Sequence, residues 1–117
     1  MEFETLFKAL GESTRIRIIR LLAHKPMYVC ELEATLRMSQ PRISQHLKIL
    51  KHAGIVDDAK EGQRSVYSLN QNLLNTSLSS FMSFLEEPLE NVTDFQTEYD
   101  RICCLAEDPG IRTCKSL

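Results

Sequence analysis

The chain has 117 residues, of which 43% are hydrophobic and 26% are charged, and its formal net charge is −2. These values are typical of one small soluble domain and exclude a uniformly basic nucleic-acid coat. No apolar run approaches the roughly 18 residues of a membrane span, and the acidic, amphipathic N-terminus is unlike a secretory signal. We therefore expect a cytoplasmic protein with no membrane contact, in which the four cysteines stay reduced.

The charges are unevenly distributed along the chain. Residues 37–56 carry two arginines, two lysines and two histidines but no acidic residue, whereas residues 86–108 carry eight acidic residues and one arginine. A basic middle and an acidic end favour a nucleic-acid contact in the middle of the chain. The alternative is that these charged residues are ordinary solvent-exposed surface.

Four helices are predicted in the first half of the chain. Apolar residues recur at helical spacing in ETLFKAL (4–10), STRIRIIRLLAH (13–24), MYVCELEATL (27–36) and QPRISQHLKILKHAG (40–54). Ser13 and Ser39 are expected to cap the second and fourth helices, and Pro41 falls in the first turn of the fourth. Gly11 and Gly54 are expected to end the first and fourth helices.

The third and fourth helices, joined by a break of three residues, predict a helix-turn-helix. The fourth has a polar and basic outer face, as a recognition helix in a DNA major groove requires. The residues predicted to meet base edges and phosphates near its N-terminal end are Gln40, Arg42, Ser44, Gln45 and His46. Lys48 and Lys51 are predicted to lie nearer the DNA backbone.

A β-hairpin is predicted directly after this helix. Two short extended segments, 55–60 and 65–69, flank EGQR, where Gly62 supplies the turn. A hairpin in this place is a wing, and Arg64 at its tip is predicted to contact a phosphate or the minor groove.

A last long helix is predicted from residue 70 to about residue 95, kinked or ended by Pro88. Its apolar stripe consists of Leu74, Leu78, Phe81, Phe84 and Leu85. One small chain offers little cover for this stripe or for Leu6 and Leu10 of the first helix. We therefore expect a homodimer built from the terminal helices.

The segments LFKALGESTRIRIIRLL, VCELEATLRMSQPRISQHLKILKHAGIV and EGQRSVYSLN resemble, in order and spacing, the ArsR/SmtB family of bacterial winged-helix repressors. The resemblance covers roughly residues 3–85. It implies a mainly α fold with a β-hairpin wing, and a homodimer that binds a twofold-symmetric operator and leaves it when a metal ion or other inducer binds. Residues 1–95 would then form the DNA-binding and dimerisation domain, and residues 96–117 a sensor tail.

Two sensor sites familiar in this family are not matched by the sequence. One places paired cysteines in the helix before the recognition helix, where this chain has Tyr28 and a single Cys30 that we expect to be a small buried hydrophobe. The other holds zinc with histidines and carboxylates along the last helix, but His24, His46 and His52 all lie in the first half. Phosphate-loop, nucleophile-elbow and zinc-hydrolase motifs are also missing from the sequence, so we do not expect an enzyme.

The tail, RICCLAEDPGIRTC, carries three of the four cysteines. Cys103 and Cys104 are adjacent, and the turn signal EDPG predicts that Cys114 folds back toward them. Three thiolates without a nitrogen partner suit trivalent arsenic better than zinc, whose structural sites have four ligands. A subset of the family that the tail resembles holds arsenite with a C-terminal cysteine pair and a third cysteine. The tail thus predicts a repressor induced by arsenite, As(III), or antimonite, with Cys103, Cys104 and Cys114 as ligands.

Other interpretations of the same residues remain open at this point. The tail could be disordered and its thiols incidental. Alternatively, Cys103 or Cys104 could form a disulfide with Cys114 or Cys30 in a redox or persulfide sensor. A helical interaction module whose basic helix is ordinary surface would also fit the charges. The sequence does not decide whether Cys30 takes part in sensing or whether one or two subunits build the site.

Overall fold

The computed structural model describes residues 3–116. Its helices are α1 (Glu4–Leu10), α2 (Ser13–His24), α3 (Val29–Leu36), α4 (Gln40–His52), α5 (Gln71–Glu86), α6 (Gln96–Cys103) and α7 (Pro109–Lys115). Its strands are β1 (Met27–Tyr28), β2 (Val56–Glu61) and β3 (Arg64–Leu69). The chain divides after Ser79 into two compact units. The predicted division by function, at residues 95 and 96, stays a prediction.

The core of the first unit is formed by the apolar stripes that the sequence predicts. Ile18 of α2, Leu32 of α3 and Leu47 of α4 are completely buried together. Burial of such a side chain contributes about 1.5–3 kcal/mol. These contacts fix α4 against α2 and α3 and leave its opposite face exposed to solvent.

The turn between α3 and α4 depends on a left-handed residue. Arg37 ends α3 with φ 55° and ψ 47°, a conformation that non-glycine residues adopt infrequently. Ser39 then occupies the predicted N-cap position of α4 and Pro41 lies in its first turn, but the Ser39 side chain makes no capping hydrogen bond. The helix-turn-helix is therefore present with the predicted spacing.

The cap of α2 differs from the prediction. Glu12, not Ser13, is the N-cap: it has extended backbone, and its Oε2 accepts a hydrogen bond of 3.0 Å from the backbone N–H of Arg15. Ser13 is already the first helical residue. The carboxylate also places negative charge at the positive end of the helix dipole.

The three strands form an antiparallel sheet of order β1-β3-β2. Strands β2 and β3 pair from Val56 opposite Leu69 to Glu61 opposite Arg64, so that a two-residue turn with Gly62 at φ 65° joins them. The predicted wing is confirmed. Strand β1 was not predicted, because a two-residue strand is too short to show alternation and the sequence assigned it to the following helix.

The second unit is more helical than the sequence indicates. The predicted long helix ends at Glu86, ahead of Pro88, and the chain continues through short 3₁₀ turns at Leu89–Asn91 and Thr93–Phe95. Local contacts hold this stretch together: the rings of Phe84 and Phe95 lie 6.0 Å apart, and Gln96 Nε2 donates to the carbonyl of Glu90 at 2.9 Å. Within residues 3–116, no helix has the length and hydropathy required to cross a bilayer.

Candidate DNA interface and cysteine tail

The outer face of α4 presents the residues predicted to contact base edges. Gln40, Arg42 and Gln45 are exposed, and the completely buried Ile43 lies on the opposite face. Gln40 Nε2 donates a hydrogen bond of 2.6 Å to the half-buried Ser44 hydroxyl. Amide and guanidinium groups at the start of an exposed helix have the length and donor pattern needed to reach bases in a major groove.

His46 is oriented differently from its neighbours. Its side chain is only 18% exposed, and its Nδ1 lies 3.3 Å from Arg15 Nη1 and 3.8 Å from Glu12 Oε2. One edge of the ring therefore faces α2, and only the other edge remains for DNA. The role of His46 in base contact stays a prediction. The structure adds a second role, the contact of His46 with Arg15 and Glu12.

The two lysines of the recognition helix differ in their surroundings. Lys48 is exposed, whereas Lys51 Nζ forms an ion pair of 2.8 Å with Asp58 Oδ1 of strand β2. The hydrogen bond from Lys51 holds the pKa of Asp58 below its ordinary value, and the carboxylate raises the pKa of Lys51. The charge of Lys51 is thus offset locally, so Lys48 is the stronger candidate for a phosphate contact.

In acid, the Lys51–Asp58 pair should weaken as the Asp58 carboxylate becomes protonated. Because the pKa of Asp58 is lower in the folded state than in the unfolded state, its contribution to stability is complete above the unfolded pKa. That contribution is lost as the pH falls through the folded pKa. NMR titration of the Asp58 carboxyl carbon should give a pKa below 3.8. Lys51→Ala should raise it and Lys48→Ala should leave it unchanged; an Asp58 that titrates ordinarily in the unmodified protein would mean that the pair does not form.

Arg64 of the wing is held by an aromatic ring. It follows the hairpin turn, and its guanidinium carbon lies 5.4 Å from the centre of the Tyr28 ring. The Tyr28 hydroxyl donates to the carboxylate of Glu61, which raises the pKa of Tyr28. The cation–π contact restricts the Arg64 side chain beside the turn of the wing. Sequence reasoning missed the support from Tyr28, because no local spacing links residue 28 to residue 64.

Base contacts and phosphate contacts predict different mutant phenotypes. Gln45→Ala should reduce the binding free energy by about 1–3 kcal/mol on DNA that carries the base pairs it contacts. On DNA with other base pairs at those positions the reduction should be small. Lys48→Ala should weaken binding to all sequences and reduce the slope of log K against log salt by about one. Lys51→Ala, whose charge Asp58 already offsets, serves as the matched control with a smaller change in slope. A sequence-selective loss in Lys48→Ala would mean that Lys48 does not act through phosphate.

All four cysteines are free and exposed. The expectation of a buried Cys30 is wrong, because this residue lies in the first turn of α3 on its outer side. Cys103 ends α6, Cys104 follows it, and Cys114 lies in the last turn of α7. Among residues 3–116, no three His, Cys, Asp or Glu side chains meet in an arrangement that could hold a metal ion. The structure therefore exposes the three predicted ligands without bringing them together.

The segment between the cysteine pair and Cys114 starts a helix. Asp108 caps α7, its Oδ1 accepting a hydrogen bond of 2.8 Å from Gly110 N–H, and Pro109 is the first helical residue. On α6, the Tyr99 hydroxyl donates to Glu90 Oε2 at 3.0 Å, and this bond, reinforced by the nearby Cys103, raises the pKa of Tyr99. Cys103 therefore already has a polar neighbour on its own helix.

Comparison with known proteins identifies the family. A model described as "Bacterial regulatory protein, arsR family" matches residues 12–58. The transcriptional repressor SdpR of Bacillus subtilis is 35% identical over 82 residues, which cover 70% of this chain and 91% of that protein. The arsenic resistance transcriptional regulator ArsR2 of Pseudomonas putida is 34% identical over 110 residues, which cover 85% of this chain and 95% of that protein.

Comparison with solved structures identifies the same fold. The homodimeric winged helix-turn-helix DNA-binding domain of Mb0332 from Mycobacterium bovis, a possible ArsR-family transcriptional regulator, is similar with a TM-score of 0.60 and 25% identity. The match covers 79% of this chain and 85% of that chain. The predicted fold class is confirmed. The chain therefore belongs to the ArsR family of bacterial regulatory proteins, which are DNA-binding transcriptional regulators and not enzymes.

Proposed function

We propose that this regulator is a homodimeric, cytoplasmic repressor that leaves its operator when As(III), supplied as arsenite, binds to Cys103, Cys104 and Cys114. The observation that carries the proposal is the placement of three free, exposed thiols at the ends of α6 and α7. Soft thiolates select soft, thiophilic ions over harder ones. The likeness to an arsenic resistance regulator of Pseudomonas putida covers 85% of this chain, well beyond the DNA-binding part.

Arsenite binding requires a rearrangement of the tail. Cys103 and Cys104 are adjacent in the chain, so Cys114 must approach them. Two exposed hydrogen bonds hold the start of α7, from Gly110 N–H to Asp108 Oδ1 at 2.8 Å and from Arg112 Nε to the Ala106 carbonyl at 3.1 Å. Each contributes only about 0.5–1.5 kcal/mol. Arsenite, As(OH)3, exchanges its three hydroxyl groups for the three cysteine sulfurs: three As–O and three S–H bonds break, three As–S bonds form and three water molecules leave. The As–S bonds offset the loss of these hydrogen bonds, so metalloid binding is able to reorganise the segment.

Dimerisation is supported by the uncovered face of α5. Leu78 is 40% exposed and Leu85 is 60% exposed, and with Met82 they recur at helical spacing. The expectation that Leu6 of α1 awaits a partner is wrong, because Leu6 is buried in the core of its own unit. A second copy would cover the α5 face, as twofold interfaces of small proteins do.

A mobility-shift titration in reducing buffer tests the proposal. The probe is duplex DNA from upstream of the protein's own gene, and the variable is arsenite concentration. We expect a retarded complex that dissociates as arsenite rises. A complex that resists arsenite but dissociates with a persulfide would instead support the thiol redox sensor.

A further inference from the structure

Arg15 links three separate parts of the first unit. From the first turn of α2, its Nε donates to the Ala9 carbonyl at 2.7 Å and its Nη2 to the Lys8 carbonyl at 3.1 Å. Its Nη1 lies 3.3 Å from Nδ1 of His46, in the middle of the recognition helix. One guanidinium therefore joins the C-terminal end of α1 to α4.

The chemistry of this contact requires arginine. The carbonyls of Lys8 and Ala9 belong to the last turn of α1, where the helix dipole favours a cation. A guanidinium presents five N–H groups in a rigid plane and serves both carbonyls and the imidazole at once. A lysine ammonium has the same charge but one nitrogen, so it cannot span these acceptors.

Two charged side chains approach the same nitrogen of His46. The guanidinium of Arg15 only donates hydrogen bonds, so its contact of 3.3 Å with Nδ1 is a hydrogen bond in the tautomer that leaves Nδ1 unprotonated. Glu12, which caps α2 through the backbone N–H of Arg15, lies 3.8 Å from the same Nδ1. Glu12 and Arg15, both at the start of α2, thus lie at the same Nδ1 edge of the imidazole.

A groove lies beside this contact. It opens between α1 and α4 with a volume of about 550 Å³, and its lining includes Ala9, Arg15 and Ile49. Ile49 is 42% exposed. At the edge of this groove the polar contact through Arg15 adds to the packing of the core and joins α1 to the recognition helix.

We propose that Arg15 is a positioning residue for DNA binding: it sets the angle of the recognition helix through His46 and so matches the two recognition helices of a dimer to the spacing of the half-sites. This inference rests on the proposed binding of the protein as a homodimer. In such a dimer the recognition helices must meet half-sites about one helical turn apart. A small rotation of α4 in each subunit therefore changes the fit to the whole operator more than the fit to one half-site.

The test compares Arg15→Lys with Arg17→Lys, an exposed position of the same helix. Affinity is measured for three duplexes: the operator, the operator with one base pair inserted between half-sites, and a single half-site. Arg15→Lys should lower the affinity for the operator about 10-fold and the affinity for the half-site much less. The ratio of its affinities for the operator and for the operator with the inserted base pair should also be smaller than that of the unmodified protein. Arg17→Lys should behave as the unmodified protein.

A double-mutant cycle identifies the partner. If Arg15 acts through His46, the effect of Arg15→Lys should disappear in a His46→Ala background. Arg15→Gln, which keeps a donor for the Ala9 carbonyl, gives the same readout if Arg15→Lys folds poorly. Equal losses on the operator and the half-site, or no loss, would overturn the positioning role. An unmodified protein without preference for two half-sites over one would overturn the dimeric function and this role together.

Discussion

Cys114→Ser should bind the operator as the unmodified protein does and should no longer release it with arsenite. Cys114 lies on α7 and is not one of the residues predicted to contact DNA, so its replacement removes none of the proposed DNA contacts. Trivalent arsenic takes three ligands, and two thiolates with an oxygen hold it less tightly than three thiolates do. Fluorescence anisotropy of a labelled operator, with and without arsenite, measures both properties.

The size of the expected effect follows from linkage. Allosteric coupling between two sites is typically 1–3 kcal/mol, which corresponds to a change in operator affinity of about 5- to 150-fold. By reciprocity, saturating operator must weaken arsenite binding by the same factor. Cys103→Ser and Cys104→Ser should each remove this coupling as Cys114→Ser does.

Cys30→Ser is the matched control for these variants. Cys30 is equally free and exposed, but it lies in the first turn of α3. Its replacement should leave repression and release nearly normal. If Cys30→Ser lost the response while Cys114→Ser kept it, the sensor would lie in the helix before the recognition helix and the proposed tail site would be wrong.

The elements of the DNA-binding part were predictable because their signals are local and repeated. Ile43, Leu47 and Leu50 mark one face of α4, and the core buries that face. Gly62 marks the turn of the wing, where its positive φ is required. In both places the local pattern and the tertiary packing favour the same structure, so the sequence alone was sufficient.

The contacts that were missed join different helices and strands. The ion pair of Lys51 with Asp58 and the contact of Arg15 with His46 depend on how helices and strands meet, which periodicity does not encode. The helices of the tail were not predicted for a different reason. They are short and begin at Gln96 and Pro109, after 3₁₀ turns that interrupt the apolar repeat on which helix prediction depends.

Leu78→Lys should convert the protein to monomers that bind the operator poorly. Leu78 is already 40% exposed, so a lysine can extend its charged end into solvent and the subunit should remain folded. In a dimer the same charge would be buried against an apolar face without a partner, which opposes association. Sedimentation equilibrium should therefore show the monomer mass at concentrations where the unmodified protein is dimeric.

The loss of operator affinity should be large, because the second half-site is then no longer bound as part of the same molecule. Linking two binding modules raises affinity by about 10²- to 10⁴-fold, and a monomer forfeits that gain. Its affinity for a single half-site should remain, since Leu78 lies on α5 and not on the recognition helix. Ser79→Lys adds the same charge at the next, exposed position of α5 and should leave the dimer intact. A stable monomer of the unmodified protein with full operator affinity would show instead that the exposed face of α5 is not a dimer interface.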